Sequence, residues 1–600
     1  MVSSDELNAA QQQINAARDQ THTNIAAAKS WADLAKASAD ASGDGSAISA
    51  AADANRAEVA KDATLVARDE ASGFAGSASL DADRAASERG LAEAARDRAE
   101  AVPDVQDGLL ASIVSDEGSE SRAALNATYA SKGVIVLDSD YPTLADAIAA
   151  TPSGGTLQVD KAHTTTGVTL DRPVTIRGRG SITTTGNGPA VTITASNVTV
   201  DGLRIAGPQY AEMVSTQTGI LVTGGTVAAP ITGLRVLNCT VESFGYMGLR
   251  LNHCTEFEVS RTTVRNVVYA GVLVMSGNRG RIDSSDVLNV TGTGQVNYYG
   301  IALTHDKAQP QSTHPRTRDV QVTNNLVDGV TGWEGIDTHG GENIIISGNR
   351  VLNCLVGIAC VPGEESGSET LAPRSITVTN NFVDSRRTDG TARAGIQLIG
   401  AGTLASPAER ATGVIANNII RNHGTENTSG GAGISLYVTR GVVVSGNSIV
   451  NASQCGIDVY HSNENLAIIG NVFVDVWTNA TAFTAAIFVR SNNNTVTISG
   501  NVLSRGDKTA TLVNDRGLFI ASVTDCTVDD LGNNFTAAAK PLVDNPSITR
   551  RRDFAKKVGW NGGVGITRPT ITGSQGGNAA LGELLTQLHN YGLITNSTTA

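Results

Sequence analysis

Aromatic residues are scarce in this chain: they make up 4% of its 600 residues, whereas glycine accounts for 64 of them. A chain of this length is too long for one ordinary globular core, so either several domains or a repeat architecture is expected. The low aromatic content argues against a single large core. It favours a solenoid, whose narrow interior is filled by aliphatic side chains.

The sequence also lacks a basic excess, closely spaced cysteines and long apolar runs. Its formal net charge of -13 disfavours nucleic acid as a partner, because phosphate binding requires a basic face. No apolar run approaches the ~18 residues of a membrane span, and the start, MVSSDELNAAQQQ, lacks the basic and apolar segments of a secretory signal peptide. The six cysteines form no CxxC pair, which predicts buried thiols. We expect no membrane insertion, no metal and no cofactor.

Four regions of different composition follow one another along the chain. Residues 1–103 are rich in alanine, the best helix former, and their apolar stripe is too thin for a lone helix. They predict an α-helical stalk that associates with copies of itself, with a partly disordered tether as the alternative. Residues 104–135 form a short connecting segment, and residues 136–540 carry a repeat. Residues 541–600 lead from a Gly-rich loop into an amphipathic helix, which predicts a small association module.

The repeat in residues 136–540 is the strongest signal in the chain. Its core is an aliphatic residue, a spacer, Gly or Asn, then Asn, any residue and an apolar residue, as in VTNNLV at Val322–Val327. The asparagines of this column are Asn325, Asn349, Asn381, Asn418, Asn447, Asn471, Asn501 and Asn533, and the column continues more loosely upstream through Leu203, Cys239, Thr262 and Ser285. Asparagine tolerates the left-handed backbone of a tight turn, and stacked asparagines can bond from rung to rung. We therefore predict one turn per rung at this column.

A second column, of glycine followed by an aliphatic residue, confirms the phase of the repeat. Its pairs are Gly219-Ile220, Gly248-Leu249, Gly271-Val272, Gly300-Ile301, Gly335-Ile336, Gly357-Ile358, Gly395-Ile396, Gly433-Ile434, Gly456-Ile457 and Gly517-Leu518, with Ala486-Ile487 in the one gap. The spacing varies from 22 residues (335 to 357) to 38 (357 to 395). Constant strands joined by turns of variable length are typical of a solenoid.

A short helix is predicted before the repeats begin. Thr143 is placed to cap it, with Leu144, Ala147 and Ile148 on one face. Such a helix would protect the open edge of the first coil.

The repeat resembles the pectate-lyase-like right-handed β-helix, a fold that phage tailspikes share with many polysaccharide enzymes. This implies an all-β fold: a single-stranded right-handed parallel β-helix, with the α-helical stalk before it and the small α-containing module after it. Residues 121–130, SRAALNATYA, resemble the neck segment that precedes receptor-binding domains in many phage tail proteins. The resemblance implies a homotrimeric virion protein that contacts other phage structural proteins through its N-terminal region.

The richest candidate site is the run from Trp333 to Gly341, WEGIDTHGG. Period two turns Asp337 and His339 outward on the same face, where we expect them to be exposed. Stacking places His305, Asp306 and Lys307 of the preceding rung near the end of this strand. Tyr298, Tyr299 and Trp333 offer apolar faces for sugar rings. Candidate substrate-binding residues are thus Tyr299, Trp333, His305 and Asp306.

The string Gly335-Ile336-Asp337-Thr338-His339 resembles the Asp-Pro-His signature of β-helix alginate epimerases. The resemblance implies acid and base roles for Asp337 and His339, and a carboxylate-binding role for Lys307. Glu334 stands where that family has Tyr, and Thr338 where it has Pro, which argues against the epimerase reaction itself. Glu334 would instead be the second carboxylate of a hydrolase or a substrate-orienting group. Alternatively, all these residues are ordinary polar residues on a β-helix surface.

A second cluster, Asp458, Tyr460 and His461, lies in the same column four rungs later and is a weaker candidate for sugar contact.

Three functions remain open from the sequence. The first is a virion tail fibre or tailspike protein that binds host-surface polysaccharide. The second is a polysaccharide depolymerase, a lyase or a glycoside hydrolase, on the same scaffold. The third is a purely structural virion decoration.

Overall fold

The computed structural model describes residues 135–208, 210–293, 297–365, 368–387, 391–403, 406–424, 431–476, 485–504, 516–521, 526–538, 540–543, 550–553, 570–574, 578–590 and 595–599. The predicted stalk of residues 1–103 and the neck segment at 121–130 lie outside these residues, and both stay predictions.

The chain winds through three parallel sheets, and a full coil of the repeat contributes to each sheet in turn. This is the right-handed single-stranded parallel β-helix that the sequence predicted. We number the sheets in the order in which the chain visits them.

Sheet 1 has 18 strands. They are β1 (Ile135–Leu137), β2 (Thr156–Gln158), β5 (Val174–Arg177), β8 (Val198–Asp201), β11 (Ile231–Thr232), β12 (Arg235–Leu237), β15 (Cys254–Thr255), β16 (Glu258–Ser260), β19 (Asn278–Asp283), β22 (Arg318–Thr323), β25 (Glu342–Ser347), β30 (Ile376–Thr379), β33 (Gly413–Ala416), β36 (Val443–Ser445), β39 (Leu466–Ile469), β42 (Thr495–Ser499), β45 (Thr527–Leu531) and β47 (Arg550–Asp553).

Sheet 2 has 13 strands. They are β3 (Ala162–Thr165), β6 (Ser181–Thr184), β9 (Arg204–Ala206), β13 (Thr240–Phe244), β17 (Thr263–Val267), β20 (Asp286–Val290), β23 (Leu326–Val330), β26 (Arg350–Leu352), β31 (Phe382–Asp384), β34 (Ile419–Arg421), β37 (Ser448–Val450), β40 (Val472–Val474) and β43 (Val502–Ser504).

Sheet 3 has 14 strands and carries the candidate site. They are β4 (Val168–Leu170), β7 (Val191–Ile193), β10 (Thr218–Val222), β14 (Met247–Asn252), β18 (Ala270–Met275), β21 (Tyr299–Thr304), β24 (Glu334–His339), β27 (Val356–Val361), β32 (Ile396–Ile399), β35 (Ala432–Tyr437), β38 (Cys455–Val459), β41 (Ala485–Val489), β44 (Arg516–Ile520) and β46 (Lys540–Val543).

The remaining elements lie outside the three sheets. They are an antiparallel hairpin of β28 (Gly363–Glu365) and β29 (Ser368–Leu371), a parallel pair of β48 (Thr570–Ser574) and β49 (Thr595–Thr599), the helices α1 (Leu144–Ala150) and α2 (Ala579–Asn590), and a 3-10 turn at Asp138–Asp140. Of the described residues, neither α1 nor α2 has the length and hydropathy that a membrane-spanning helix requires.

The interior is a stack of aliphatic side chains. Ile336 pairs with Ile358, and Ile358 with Ile396, and all three are fully buried. The glycine before each of these residues allows close packing: a Cβ on Gly335 would lie 2.5 Å from Cγ1 of Val351 and 2.7 Å from the backbone oxygen of Gly357. The glycine column therefore marks the corner where the chain enters sheet 3.

The asparagine column forms a continuous buried ladder, as predicted. The backbone N–H of Asn325 donates to Oδ1 of Asn349 at 2.9 Å, and that of Asn349 donates to Oδ1 of Asn381 at 3.0 Å. Each Nδ2 also bonds to the next asparagine and to a backbone carbonyl of the rung before. Upstream, the hydroxyls of Ser285 and Thr262 extend the ladder.

The sequence predicted that the column asparagines themselves adopt the left-handed backbone, and this prediction was wrong. The left-handed backbone belongs to the residue before each ladder asparagine, such as Asn324 (φ 56°), Gly348 (φ 70°) and Asn380 (φ 57°). The two positions of the Gly/Asn–Asn motif thus have separate roles. The first supplies a left-handed turn, and the second supplies the hydrogen bonds between rungs.

The local predictions at the two ends of the repeat are confirmed where residues are described. Thr143 caps α1 by accepting a hydrogen bond from the backbone N–H of Asp146, and Leu144, Ala147 and Ile148 are buried. Helix α2 forms within the predicted C-terminal module. The six cysteines are all free and buried: Cys239, Cys254, Cys354, Cys360, Cys455 and Cys526.

Candidate functional site

A groove of about 340 Å³ runs over the outer face of sheet 3. We call it the sheet-3 groove. It is lined by Tyr246, Met247, Arg250, Tyr269, Leu273, Met275, Asn297, Tyr299, Ala302, Thr304, His305, Asp306, Lys307, Asp337, His339 and Glu364. A larger cavity of about 590 Å³ adjoins it and shares Arg250, Met275 and Asp306 with it. Together they make an elongated depression.

A row of rings forms the floor of the groove. Tyr246 and Tyr269 stack with ring centroids 4.9 Å apart and an interplanar angle of 11°. Tyr269 meets Tyr299 edge to face at 5.5 Å, and Tyr299 meets His339 at 6.1 Å. The four rings come from four successive rungs: Tyr246 and Tyr269 lie just before β14 and β18, Tyr299 opens β21, and His339 ends β24. We call these four residues the ring ladder.

The ring ladder ends beside two buried carboxyl groups on β24. Glu334 is 3% exposed and Asp337 is 0% exposed. A carboxyl oxygen of each and a ring nitrogen of His339 lie within 4.8 Å of one another. Within the described residues, Oε2 of Glu334 and both carboxyl oxygens of Asp337 have no hydrogen-bond partner. Nε2 of His339 lies 3.2 Å from Oδ2 of Asp337, without the alignment of a hydrogen bond.

Burial determines the protonation of this carboxyl pair. Loss of solvent raises the pKa of the Asp337 carboxyl well above its ordinary value. The pKa of Glu334 is raised by burial and, in addition, by the negative charge of Asp337. The pair therefore holds protons at a pH where exposed carboxyls have lost them. Burial also raises the pKa of Tyr269 to about 12, so its hydroxyl stays neutral.

Glu334, Asp337 and His339 are the set of described side chains that could together hold a metal ion. Metal ligands must be deprotonated, however, and burial favours the protonated form of both carboxyls. A cation would therefore bind here only as the two carboxyls lose the protons that burial favours.

The expected exposure of Asp337 is wrong, although the side of the sheet it faces is right. Asp337 and His339 both point outward from β24. Asp337 is flanked in register by the small side chains of Ala302 and Ala359, and it lies next to the ring of Tyr299. Alternation predicts which side of a sheet a residue faces, but not what covers it.

His305, Asp306 and Lys307 reach the groove from the loop after β21, as stacking predicted. Nε2 of His305 lies 2.7 Å from the backbone oxygen of Glu364 on β28, and Nζ of Lys307 lies 3.0 Å from Oε2 of Glu364. The loop and the hairpin β28–β29 thus form one wall of the groove. Because Lys307 is already paired with Glu364, its carboxylate-binding role stays a prediction.

Two of the expected aromatic residues lie elsewhere. Tyr298 is buried in the main core, and its hydroxyl donates to the backbone oxygen of Gly292 at 2.6 Å. Trp333 and Glu334 do not line the groove, but Trp333 packs against the same outer cluster as Leu273 and Tyr299, and the guanidinium of Arg393 lies 5.0 Å from its ring. The adjacent residues Tyr298 and Tyr299 point in opposite directions, one into the core and one into the groove, which the sequence pattern alone did not resolve.

The groove residues that escaped the sequence reasoning include Tyr246, Tyr269, Arg250 and Glu364. A signal for the two tyrosines was present. An aromatic residue stands two positions before the column glycine in four successive repeats, at Tyr246, Tyr269, Tyr298 and Trp333. Glu364 had no such signal, because it arrives on a hairpin inserted after β27.

The fold and the groove define a right-handed parallel β-helix protein with a groove on the outer face of one sheet. The model of the family described as "Right handed beta helix region" matches residues 182–370 and 375–473. No curated protein sequence matches the chain.

Solved structures of similar fold include a glucanase, a tailspike and a surface adhesin. The catalytic unit of the thermostable GH87 alpha-1,3-glucanase from Streptomyces thermodiastaticus shares 15% identity over 59% of this chain and 65% of that chain, with a TM-score of 0.42. The Dettilon tailspike protein shares 15% over 59% and 68%, with a TM-score of 0.36. PfbA, a surface adhesin of Streptococcus pneumoniae, shares 12% over 67% and 91%, with a TM-score of 0.38. Such similarity concerns the fold, not activity or substrate.

Proposed function

We propose that this β-helix binds a polysaccharide along the sheet-3 groove. The observation that carries the proposal is the ring ladder of Tyr246, Tyr269, Tyr299 and His339, which leads to the carboxyl group of Asp337. A sugar ring packs its C–H faces on aromatic rings, and its hydroxyls bond to carboxyl, imidazole and guanidinium groups. The rings of the ladder come from four successive rungs, which suits a linear chain of sugars.

The test is direct binding of envelope polysaccharides to the full-length protein by calorimetry. Tyr269→Ala removes the central ring of the ladder. Phe382→Ala is the matched control, because Phe382 is a half-buried aromatic residue on the outer side of sheet 2, away from the groove. We expect binding by the wild type and the control and a loss in Tyr269→Ala. Equal affinity of all three proteins, or no binding by the wild type, would contradict the proposal.

We further propose that the protein is a phage tail fibre or tailspike, located on the virion, whose polysaccharide belongs to the host surface. In this proposal residues 1–103 join it to other phage structural proteins and help to hold a homotrimer. The support is the Ala-rich composition of residues 1–103 and the neck-like segment at 121–130. Light scattering that gives a stable monomer of the full chain would contradict the trimer. Deletion of residues 1–103 should leave the β-helix folded and unable to join the virion.

A second candidate function, polysaccharide depolymerisation, is favoured by the position of Asp337 in the groove and by the raised pKa of its buried carboxyl. In hydrolysis, Asp337 would give its proton to the glycosidic oxygen as the C–O bond breaks. Water would then add hydroxyl to the anomeric carbon and return a proton. Since Glu334 does not line the groove, we propose no attack of its carboxylate on the sugar. Product size and unsaturated ends after incubation with polysaccharide distinguish hydrolase, lyase and simple binder.

A purely structural role would spread aromatic and acidic side chains over all outer faces. Most of the ring contacts among the described residues instead lie on the outer face of sheet 3: those of Tyr246, Tyr269, Tyr299, Tyr437, Tyr460, Phe488 and Phe519. This concentration on one face favours a binding surface over a spacer.

A further inference from the structure

The motif that carries Asp337 occurs a second time on sheet 3. Gly335-Ile336-Asp337-Thr338-His339 has a counterpart in Gly456-Ile457-Asp458-Val459-Tyr460, with an aspartate followed two residues later by a ring. In both copies the isoleucine is fully buried in the core. The same local geometry therefore presents an aspartate and a ring to the outer face at two heights of the β-helix.

Strand register places the two aspartates in one column. Asp337 pairs with Ala359, and the column continues through Gln397 and Ser435 to Asp458. Four steps of about 4.8 Å put the two carboxyl groups roughly 19 Å apart along the axis. The three intervening side chains are small or half-buried, so the outer face between the two positions has no bulky side chain in this column.

The surroundings of Asp458 have the composition of a sugar-binding site. Asp458 is 3% exposed, and its Oδ2 lies 2.9 Å from Nη2 of Arg490, whereas its Oδ1 has no hydrogen-bond partner within the described residues. The guanidinium of Arg490 lies 4.1 Å from the ring centroid of Tyr460. Tyr437 contacts Tyr460 at 4.8 Å and lies nearly parallel to His461 at 6.0 Å. A hydrogen-bond acceptor, a cation and a set of rings thus meet at one place.

The next rungs extend the aromatic surface. Phe488 follows Asp458 in register, and Phe519 follows Phe488, with the two rings stacked 4.7 Å apart at 1°. Phe519 and Tyr460 are only half-buried. A chain that left Asp458 in the direction away from Asp337 would continue over apolar rings.

We propose that Asp458, Arg490, Tyr437 and Tyr460 form a second saccharide-binding subsite, which holds a distal part of the same linear glycan that occupies the sheet-3 groove. This inference rests on the proposed glycan binding and adds to it the length of the bound chain and its course along the column. The free oxygen of Asp458 accepts a sugar hydroxyl, Arg490 donates to another, and Tyr437 and Tyr460 pack against ring faces. Two linked subsites bind one long chain more tightly than either binds a short one.

The experiment compares short and long oligosaccharides of one bound polysaccharide on five full-length proteins: the wild type, Tyr269→Ala and the three variants that follow. The wild type should bind the long ones on the order of tenfold or more tightly than the short ones. Tyr437→Ala should remove this length advantage. Gln397→Trp, at the half-buried midpoint of the column, should also remove it by placing a bulky side chain between the two sites, while short oligosaccharides still bind the sheet-3 groove. Phe382→Ala should retain it.

The outcomes separate the two proposals. Binding that depends on Tyr269 but shows no length advantage, or a length advantage that survives both Tyr437→Ala and Gln397→Trp, overturns the second subsite and leaves the groove proposal standing. Binding that depends on Tyr437 and not on Tyr269 overturns the groove proposal. No binding of any length by the wild type overturns both. Melting temperatures of all variants check that each is folded.

Discussion

Asp337 and His339 lie two residues apart on β24 and face the same side of sheet 3, with Oδ2 of Asp337 3.2 Å from Nε2 of His339. The aspartate is fully buried while the histidine side chain is 31% exposed. The histidine therefore stands between solvent and a carboxyl group whose pKa burial raises well above its ordinary value. In the proposed hydrolysis, the proton of Asp337 would leave its carboxyl beside the His339 ring.

Asp337→Asn tests the chemistry without disturbing the packing. The amide has the shape of the carboxyl and carries no charge, so at a pH below the raised pKa of Asp337 we expect the free energy of unfolding to change by less than about 1 kcal/mol. If the protein is a depolymerase, its rate should fall on the order of 10²–10⁴. We expect the fold to tolerate Asp337→Asn because the amide has the same shape as the carboxyl, and not because the residue is exposed, since Asp337 is fully buried. A double variant, Asp337→Ala/His339→Ala, that kept full glycan affinity would remove the site.

The loss of binding affinity on removing a single ring should depend on the position of that ring along the ring ladder. Tyr269 contacts rings on both sides, whereas Tyr246 contacts one. We expect Tyr269→Ala to weaken polysaccharide binding by about 2 kcal/mol and Tyr246→Ala by less, because central, well-packed aromatic residues dominate binding energy. Calorimetric titration measures both. An equal or reversed order would show that the ladder is not the contact surface.

The asparagine ladder should dominate local stability. Asn381→Ala deprives the backbone N–H and the Nδ2 of Asn349 of their acceptor, and the backbone oxygen of Ile346 of a donor. Each buried group left unpaired costs about 1–3 kcal/mol. The control is the neighbouring exposed Asn380, whose φ of 57° suits glycine, so Asn380→Gly should cost no more than about 1 kcal/mol. Hydrogen exchange and thermal unfolding of the two variants measure the difference.

The pH dependence of stability should carry a contribution from Asp458. Burial raises its pKa from 3.8 to about 6, although the nearby Arg490 lowers it in part. The folded state thus keeps a proton that the unfolded chain has lost, so this stability is present below about pH 4 and is lost as pH rises through about 6. We expect the wild type to lose on the order of 2 kcal/mol relative to Asp458→Asn across this window. The exposed Asp319 is the control position, and Asp319→Asn should follow the wild-type curve.

Much of the fold was readable because a solenoid repeats its local rules. Aliphatic residues at Ile346 and Val378 face inward, Thr143 caps α1, and Asn325, Asn349 and Asn381 are neighbours, all as predicted. Each of these features depends on residues within one rung or on the next copy of the same motif. Turns of uneven length did not obscure them, since the insertions fall outside the strands.

The sequence by itself determined the rungs, their register and the outward direction of Asp337 and His339, because side-chain alternation and turn chemistry are local. Only the tertiary structure decided which outward residues are covered, and therefore which carboxyls hold protons. Tyr246 and Asp337 meet in one groove although 91 positions separate them (337 − 246), and Lys307 meets Glu364 across 57. The burial of an outward side chain and its pKa depend on such distant neighbours, and the alternation of residues within one strand does not predict them.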